Sequence, residues 1–236
     1  MAFLEIENLT AGYLGRDVLH GISLSVPEQS LIAIIGPNGH GKTTLLRAIS
    51  GLVPRMGGAI TLAGRALQDL RPDARVAAGV VQVPQGDMVF SEMTVLDNLL
   101  MGAYLPAAAR GAKARLDEVY TLLPKLAERR MQVASTLSGG ERRMLGIGRG
   151  LMADGRVILL DEPSLGLAPI VIEQIYELIA RLKASGRTLV VVEENAARVV
   201  ELADSMHLLD DGRFVWSGAG RELMARPEIL ETYFGG

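Results

Sequence analysis

The stretch that most constrains this chain is Gly36-Pro37-Asn38-Gly39-His40-Gly41-Lys42-Thr43. Its spacing, G-x-x-x-x-G-K-T, falls between the apolar run Leu31-Ile32-Ala33-Ile34-Ile35 and the segment Thr44-Leu45-Leu46-Arg47-Ala48-Ile49. A buried strand, a glycine-rich turn and a helix in that order make a P-loop. Glycines let successive backbone N–H groups curl toward one anion, and the following helix adds the positive end of its dipole. The expected nucleotide contacts run from Gly36 through Thr44. Lys42 would reach the β- and γ-phosphates of a nucleotide, and the Thr43 hydroxyl would hold Mg²⁺. An ordinary glycine-rich turn is the alternative, and the flanking strand and helix weigh against it.

A second acidic element fits the first. Val157-Ile158-Leu159-Leu160-Asp161-Glu162-Pro163 reads as a buried strand ending in two adjacent carboxylates. In a P-loop protein this is the Walker B strand, with Asp161 holding Mg²⁺ through water. Successive strand residues point to opposite faces, so Glu162 takes a different position and is the natural general base for a hydrolytic water. Gly79-Val80-Val81-Gln82-Val83-Pro84 reads as another buried strand, with Gln85 just past its end. Open parallel sheets bind ligands beyond the carboxyl ends of their strands. Gln85 is therefore a candidate for Mg²⁺ or the attacking water, against the plainer reading of a surface glutamine. Leu137-Ser138-Gly139-Gly140-Glu141 opens a helix running to about Met152. Ser138 and Glu141 have capping-box spacing, but two glycines at a helix start are costly unless something approaches the backbone closely, and a phosphate is the obvious candidate. Tyr13 is either a base-stacking aromatic or a half-buried rim residue.

Composition narrows the class. The chain has 236 residues, 49% hydrophobic, enough for a sizeable core in one large or two small domains. A net charge of −3 argues against sequence-independent nucleic-acid binding. There is no cysteine, so no disulfide or thiolate metal site. No apolar run is long enough to span a bilayer, and the acidic, alternating start is unlike a signal peptide. The expectation is a soluble intracellular chain whose membrane role, if it has one, comes through a partner.

Along the chain, Phe3–Leu9 and Val18–Val26 read as strands, with Thr10-Ala11-Gly12-Tyr13 a turn. Val53–Gly58 reads as a loop, Ala59–Ala63 as a short strand, and Arg71–Arg75 as a loop or helix start. From about Asp87 to Thr136 the pattern turns helical. Thr94 and Asp97 have capping-box spacing, and Leu116, Val119, Tyr120 and Leu123 recur at helical intervals. Met88, Phe90, Met93 and Met101 are expected in the core, or in part along a groove for a partner helix. Pro169 opens a helix that Gly186 ends. Thr188–Val192 is a buried strand finishing at Glu193-Glu194-Asn195. Met206–Leu209 and Phe214–Ser217 flank the hairpin turn Asp210-Asp211-Gly212-Arg213.

P-loop, glutamine after a strand, LSGGE, and Walker B with a trailing glutamate follow in an order that resembles the ATP-binding-cassette (ABC) ATPase family over essentially the whole chain. The resemblance implies an α/β P-loop core with an antiparallel β-subdomain and a helical subdomain carrying LSGGE. The corresponding division is one domain over 1–236, with core 1–86 and 157–236 and helical subdomain about 87–156. It also implies a head-to-tail dimer, homomeric or heteromeric, with ATP between one subunit's P-loop and Ser138, Gly139 and Gly140 of the other. Tyr13 matches the family's base-stacking aromatic, and Gln85 its Q-loop glutamine. The partners implied are transmembrane permease subunits at the cytoplasmic membrane face and, indirectly, a solute-binding protein, with no nucleic acid. Ser164-Leu165-Gly166-Leu167-Ala168-Pro169, Met93-Thr94-Val95 before Asn98-Leu99, and the ending Tyr233-Phe234-Gly235-Gly236 look like the second ATPase subunit of branched-chain amino-acid importers. Urea and short-chain amide importers, and soluble non-transport ABC ATPases, are the alternatives.

Four positions depart from the pattern. His40 occupies a P-loop place usually held by a small residue and is expected to turn away from the cradle. Arg142 and Arg143 stand where two glutamines are common, and are expected to add positive charge near the partner's phosphate. Glu194 falls at the catalytic switch position, where histidine or glutamine is usual. An ionised carboxylate accepts hydrogen bonds only, so Glu194 is expected either to be protonated in the closed dimer or to turn away and pair with a cation.

Overall fold

A computed structural model describes residues 2–86 and 88–234. Met1, Asp87 and the closing Gly235-Gly236 of the sequence readings lie outside the described residues. The chain begins with β1 (Ala2–Tyr13), β2 (Arg16–Pro27) and β3 (Leu31–Ile35), then α1 (Lys42–Ile49). Next come β4 (Arg55–Leu62), β5 (Arg65–Ala66), α2 (Pro72–Ala78) and β6 (Val80–Val83). A helical run follows: α3 (Val95–Gly102), α4 (Pro106–Arg110), α5 (Ala112–Leu122), α6 (Pro124–Glu128) and α7 (Gly139–Met152). The chain returns through β7 (Val157–Asp161), α8 (Pro169–Ala184) and β8 (Thr188–Glu193) to the hairpin β9 (Ser205–Asp210) and β10 (Arg213–Gly218). Two short helices, α9 (Gly220–Met224) and α10 (Pro227–Phe234), close it.

Six strands form one sheet in the order β10-β9-β3-β8-β7-β6, parallel except for edge strand β10. Every residue of β3, β7 and β8 is buried, as expected of apolar strands covered on both faces. The period-2 alternation then splits the interior in two. Leu31, Ala33 and Ile35, with Ile158, Leu160, Leu189 and Val191, face a core shared with α3, α5, α7 and α8. Ile32 and Ile34, with Leu159, Val190 and Val192, face a second core shared with α1 and an antiparallel sheet, β2-β1-β4-β5. The expected α/β core, antiparallel sheet and helical segment are all present.

Several boundaries differ from the sequence reading. Thr10-Ala11-Gly12-Tyr13 is not a turn; it stays in β1 and pairs with β2 as far as Tyr13 opposite Arg16. Register shifts along β1 break the alternation that sequence reading depends on. Strand β4 starts at Arg55, inside the stretch expected to be a loop, because its glycines permit close approach to β1. A Cβ on Gly58 would lie 2.4 Å from the Glu7 carbonyl oxygen. Residues Arg71–Arg75 enter α2, whose buried Arg75 donates to the Ala48 and Ile49 carbonyls at 2.7 and 3.0 Å. That contact caps the end of α1 and steadies the helix behind the P-loop. Met88, Phe90 and Met101 are not core; they are 65, 45 and 42% exposed.

Candidate active site

The P-loop joins the end of β3 to α1 at the carboxyl edge of the parallel sheet. Gly41 caps α1 at φ +107°, a conformation open to glycine and strained for other residues. Lys42 is 3% exposed and folds back over the loop. Its Nζ donates to the carbonyls of Gly36 at 2.8 Å and Pro37 at 3.1 Å, and lies 3.4 Å from Asn38 Oδ1. It also forms a buried ion pair with Glu162 Oε1 at 3.1 Å. The Thr43 hydroxyl donates to Asp161 Oδ1 at 3.0 Å. Gln85 Nε2 donates to the other Glu162 oxygen at 3.1 Å. A cavity of about 320 Å³ is lined by Asn38, Gly39, Gly41, Lys42, Thr43, Thr44, Gln85 and Glu162. Residues from three separate stretches of the sequence thus meet in one place.

The two carboxylates differ in environment. Burial pushes the Asp161 carboxyl above its ordinary value, the Thr43 hydrogen bond opposes this, and the neighbouring Glu162 charge reinforces it. Glu162 has φ +43°, a left-handed conformation rare outside glycine. Strain of this kind persists only where the surroundings over-determine it. For Mg²⁺ the donor set fits: a hydroxyl and a carboxylate converge as hard oxygen ligands beside a phosphate-sized cavity. Among the described residues no group of three or more His, Cys, Asp or Glu could hold a metal by itself.

The remaining expected residues are placed as follows. His40 turns away from the cradle, as expected: its Nδ1 lies 2.7 Å from Asp210 Oδ1. Tyr13 is half-buried at the end of β1 and does not line the cavity; its hydroxyl is buried without a hydrogen-bond partner among the described residues. Ser138 caps α7 in a full capping box with Glu141, apart from the P-loop cavity. Backbone closeness explains one of its glycines: a Cβ on Gly140 would lie 2.8 Å from Val171 Cγ1, while Gly139 opens onto clear space. The partner that the structure gives Glu194 is not the cation expected for it. Its Oε2 accepts from Asn38 Nδ2 at 2.9 Å, an amide of the P-loop rather than a cation. Arg143 is also a correction. It is 3% exposed and turned into its own subunit, because backbone carbonyls there take its donors. Arg142 donates to the Leu137 carbonyl at 2.7 Å.

Sequence reasoning missed a buried cluster behind the switch. Glu193 Oε1 accepts from the Ser164 hydroxyl and the Tyr176 hydroxyl, both at 2.7 Å, and from Ser164 N at 3.3 Å. Burial and the adjacent carboxylate push the Tyr176 phenol upward. The available signal was a glutamate ending a wholly apolar strand.

A parallel sheet with a phosphate-binding loop at its carboxyl edge, and a carboxylate pair facing that loop, define a P-loop ATPase. The chain belongs to the ABC transporter family, whose profile matches residues 19–165. It is 39% identical over 233 residues to the high-affinity branched-chain amino acid transport ATP-binding protein BraG of Pseudomonas aeruginosa, covering 99% of this chain and 100% of that one. It is 36% identical to a probable branched-chain amino acid transport ATP-binding protein, LivF, of Archaeoglobus fulgidus, covering 98% of each. Its fold superposes on the crystal structure of MJ1267, an ATP-binding cassette of an ABC transporter in its ADP conformation. The TM-score is 0.84 at 28% identity, over 100% of both chains. The protein is an ATP-binding, ATP-hydrolysing subunit of an ABC transporter. No helix among the described residues is long and apolar enough to cross a membrane.

Proposed function

We propose that this chain powers import of branched-chain or related amino acids, bound to permease subunits at the cytoplasmic face of the membrane. The observation that carries the solute class is the likeness to BraG and LivF over nearly the full length of all three chains. A groove of about 300 Å³ between β6 and α7 supports the docking role. Val83, Pro84, Phe90, Met101 and Tyr104 line it beside the small residues Gly146 and Gly150. An apolar groove of this kind suits a short amphipathic helix.

In the proposed chemistry, ATP phosphates draw Lys42 away from Glu162. That exchange leaves the carboxylate free to take a proton from water, while Gln85 keeps it oriented. Thr43 and Asp161 would hold Mg²⁺, which supplies charge neutralisation on the phosphate oxygens when bound. The P-loop from Gly36 to Thr44 cradles the phosphates, Tyr13 stacks on the base, and Glu194 stands at the switch. Ser138, Gly139 and Gly140 face the nucleotide of a second ATPase subunit, and a solute-binding protein delivers the cargo. The chain acts as one cassette, with its helical part at about 87–156.

The test is reconstitution with the permease subunits and solute-binding protein of a branched-chain amino-acid importer from the same cell, in proteoliposomes loaded with Mg-ATP. ATP-dependent uptake of leucine, isoleucine or valine is expected. Uptake of urea or a short-chain amide in preference, or none of these, would overturn the solute assignment.

A further inference from the structure

Arg143 is a buried charge that the proposed chemistry leaves unused. It sits in the second turn of α7. Its Nη1 donates to the Pro84 carbonyl at 3.2 Å and to the Gly86 carbonyl, and its Nη2 donates to the Glu162 carbonyl at 3.4 Å. The first two carbonyls bracket Gln85, whose side chain donates to the Glu162 carboxylate at 3.1 Å. One guanidinium therefore grips, through the backbone, the two residues whose side chains grip each other. A planar fork of donors can bridge carbonyls from two chain segments, which a single ammonium does less well. The Glu162 backbone it holds is in the left-handed region, where outside support is needed.

The same residue, though it does not itself line the groove, bonds to a residue that does. Gly146 and Gly150 follow Arg143 at i+3 and i+7 on one face of α7, and with Ala153 just past the helix end they line one side of the groove. Pro84 belongs to the opposite wall, and its carbonyl accepts from Arg143. The guanidinium thus ties the walls together at the point where both lead to the carboxylate.

We propose that Arg143 is a positioning residue that sets the Gln85–Glu162 pair and makes its placement depend on the spacing of the groove walls. The inference rests on Glu162 being the general base. An occupant that shifts β6 relative to α7 then moves the carboxylate through this one side chain.

The test uses the full chain with Mg-ATP and the variants Arg143→Met, Arg143→Lys and Glu162→Gln. Arg143→Met is expected to lower kcat about 10- to 100-fold, the scale of a misplaced catalytic group, with KM for ATP within about threefold. Arg143→Lys is expected to recover part of that loss. Amide exchange should rise in the segments around Gln85 and Glu162 and stay unchanged in the rest of the core. In a Glu162→Gln background, adding Arg143→Met should cost less than about twofold more, because the two act on one step. A wild-type kcat in folded Arg143→Met, faster exchange throughout the core, or a fully multiplicative loss in the double variant would each overturn the proposal. If Arg143→Met does not fold, Arg143→Gln, which loses the fork, is measured with the same outcomes. A wild-type rate in Glu162→Gln alone brings down the base assignment, and the exchange pattern of the Arg143 variant then still decides the positioning role.

Discussion

Replacing Glu162 by glutamine should move affinity and turnover in opposite directions, because one carboxylate serves two states. In the structure it is the buried partner of Lys42 at 3.1 Å. At an effective dielectric constant of about 20, the gross attraction at that separation is about 5 kcal/mol. Desolvation of two buried ions cancels most of it, leaving a net contribution of about 1–2 kcal/mol. Glutamine keeps the shape and can still accept from Gln85, and Lys42 retains the Gly36 and Pro37 carbonyls. The unliganded fold should therefore lose about 1–2 kcal/mol, or about 2–6 °C in Tm for a chain of this size. ATP has no ion pair left to displace and meets one negative charge fewer. Its affinity should rise about tenfold, equivalent to about 1.4 kcal/mol. Turnover should fall about 10²–10⁴-fold, because an amide cannot take the proton. Fluorescent-nucleotide titration, a phosphate-release assay and nucleotide-free thermal melts measure the three effects. An unchanged or weaker ATP affinity with an unchanged Tm would refute the Lys42–Glu162 pair. A wild-type turnover would refute the base role.

Lys42→Ala should weaken ATP binding about 10- to 100-fold, the loss of charge-assisted bonds to phosphate, and nucleotide titration within threefold of wild type would contradict it. Glu194→Gln keeps an acceptor for Asn38 and adds a donor, so steady-state ATPase should rise by several-fold, about 1 kcal/mol of barrier. A rate at or below wild type would reject this, and collapse of the rate in Asn195→Ala would transfer the switch role to Asn195. Burial pushes His207 down to about 4 from 6.5. The unfolded chain takes up this proton first as pH falls, so stability present above pH 6.5 should be lost between about pH 6.5 and 4, by up to about 2 kcal/mol given partial exposure. Denaturant melts of His207→Gln should lack that step, and an identical acid profile in the variant would exclude His207 as its source.

What could be read from the sequence was local. The P-loop, Walker B strand and LSGGE helix each lie within a dozen residues, and their spacing reports a backbone shape whatever the chain does elsewhere. Buried parallel strands were legible for the same reason, as unbroken apolar runs. Pairings across the fold were not. Glu194 meets Asn38 across 156 positions, and nothing near residue 194 signals an amide there. Arg143 reads as surface charge beside Arg142, until β6 and β7 bring carbonyls against one face of α7. Phe90 and Met101 line the groove, the second of the two places the sequence allowed them, while Met88 is exposed outside it. Composition alone cannot separate a core from a groove, because both bury the same side chains, one on folding and the other on docking.

The polar groups of the site satisfy one another, and this connects its stability to its function. Lys42 and Glu162 are buried to within 5% exposure, a costly arrangement for charges unless they are paired. Each is paired, and so are their neighbours: Lys42 with Glu162, Thr43 with Asp161, Gln85 with Glu162, and Asn38 with Glu194. In the proposed chemistry Lys42 and Asp161 are wanted by phosphate and metal, and Glu162 and Gln85 by water. Binding therefore exchanges one satisfied set of contacts for another instead of filling an unsatisfied hole. Such an exchange has little net cost, so a small displacement of Gln85 and Glu162 can tip it. Arg143 grips the backbone on either side of Gln85 and at Glu162 itself, so under the proposed role it would set that balance.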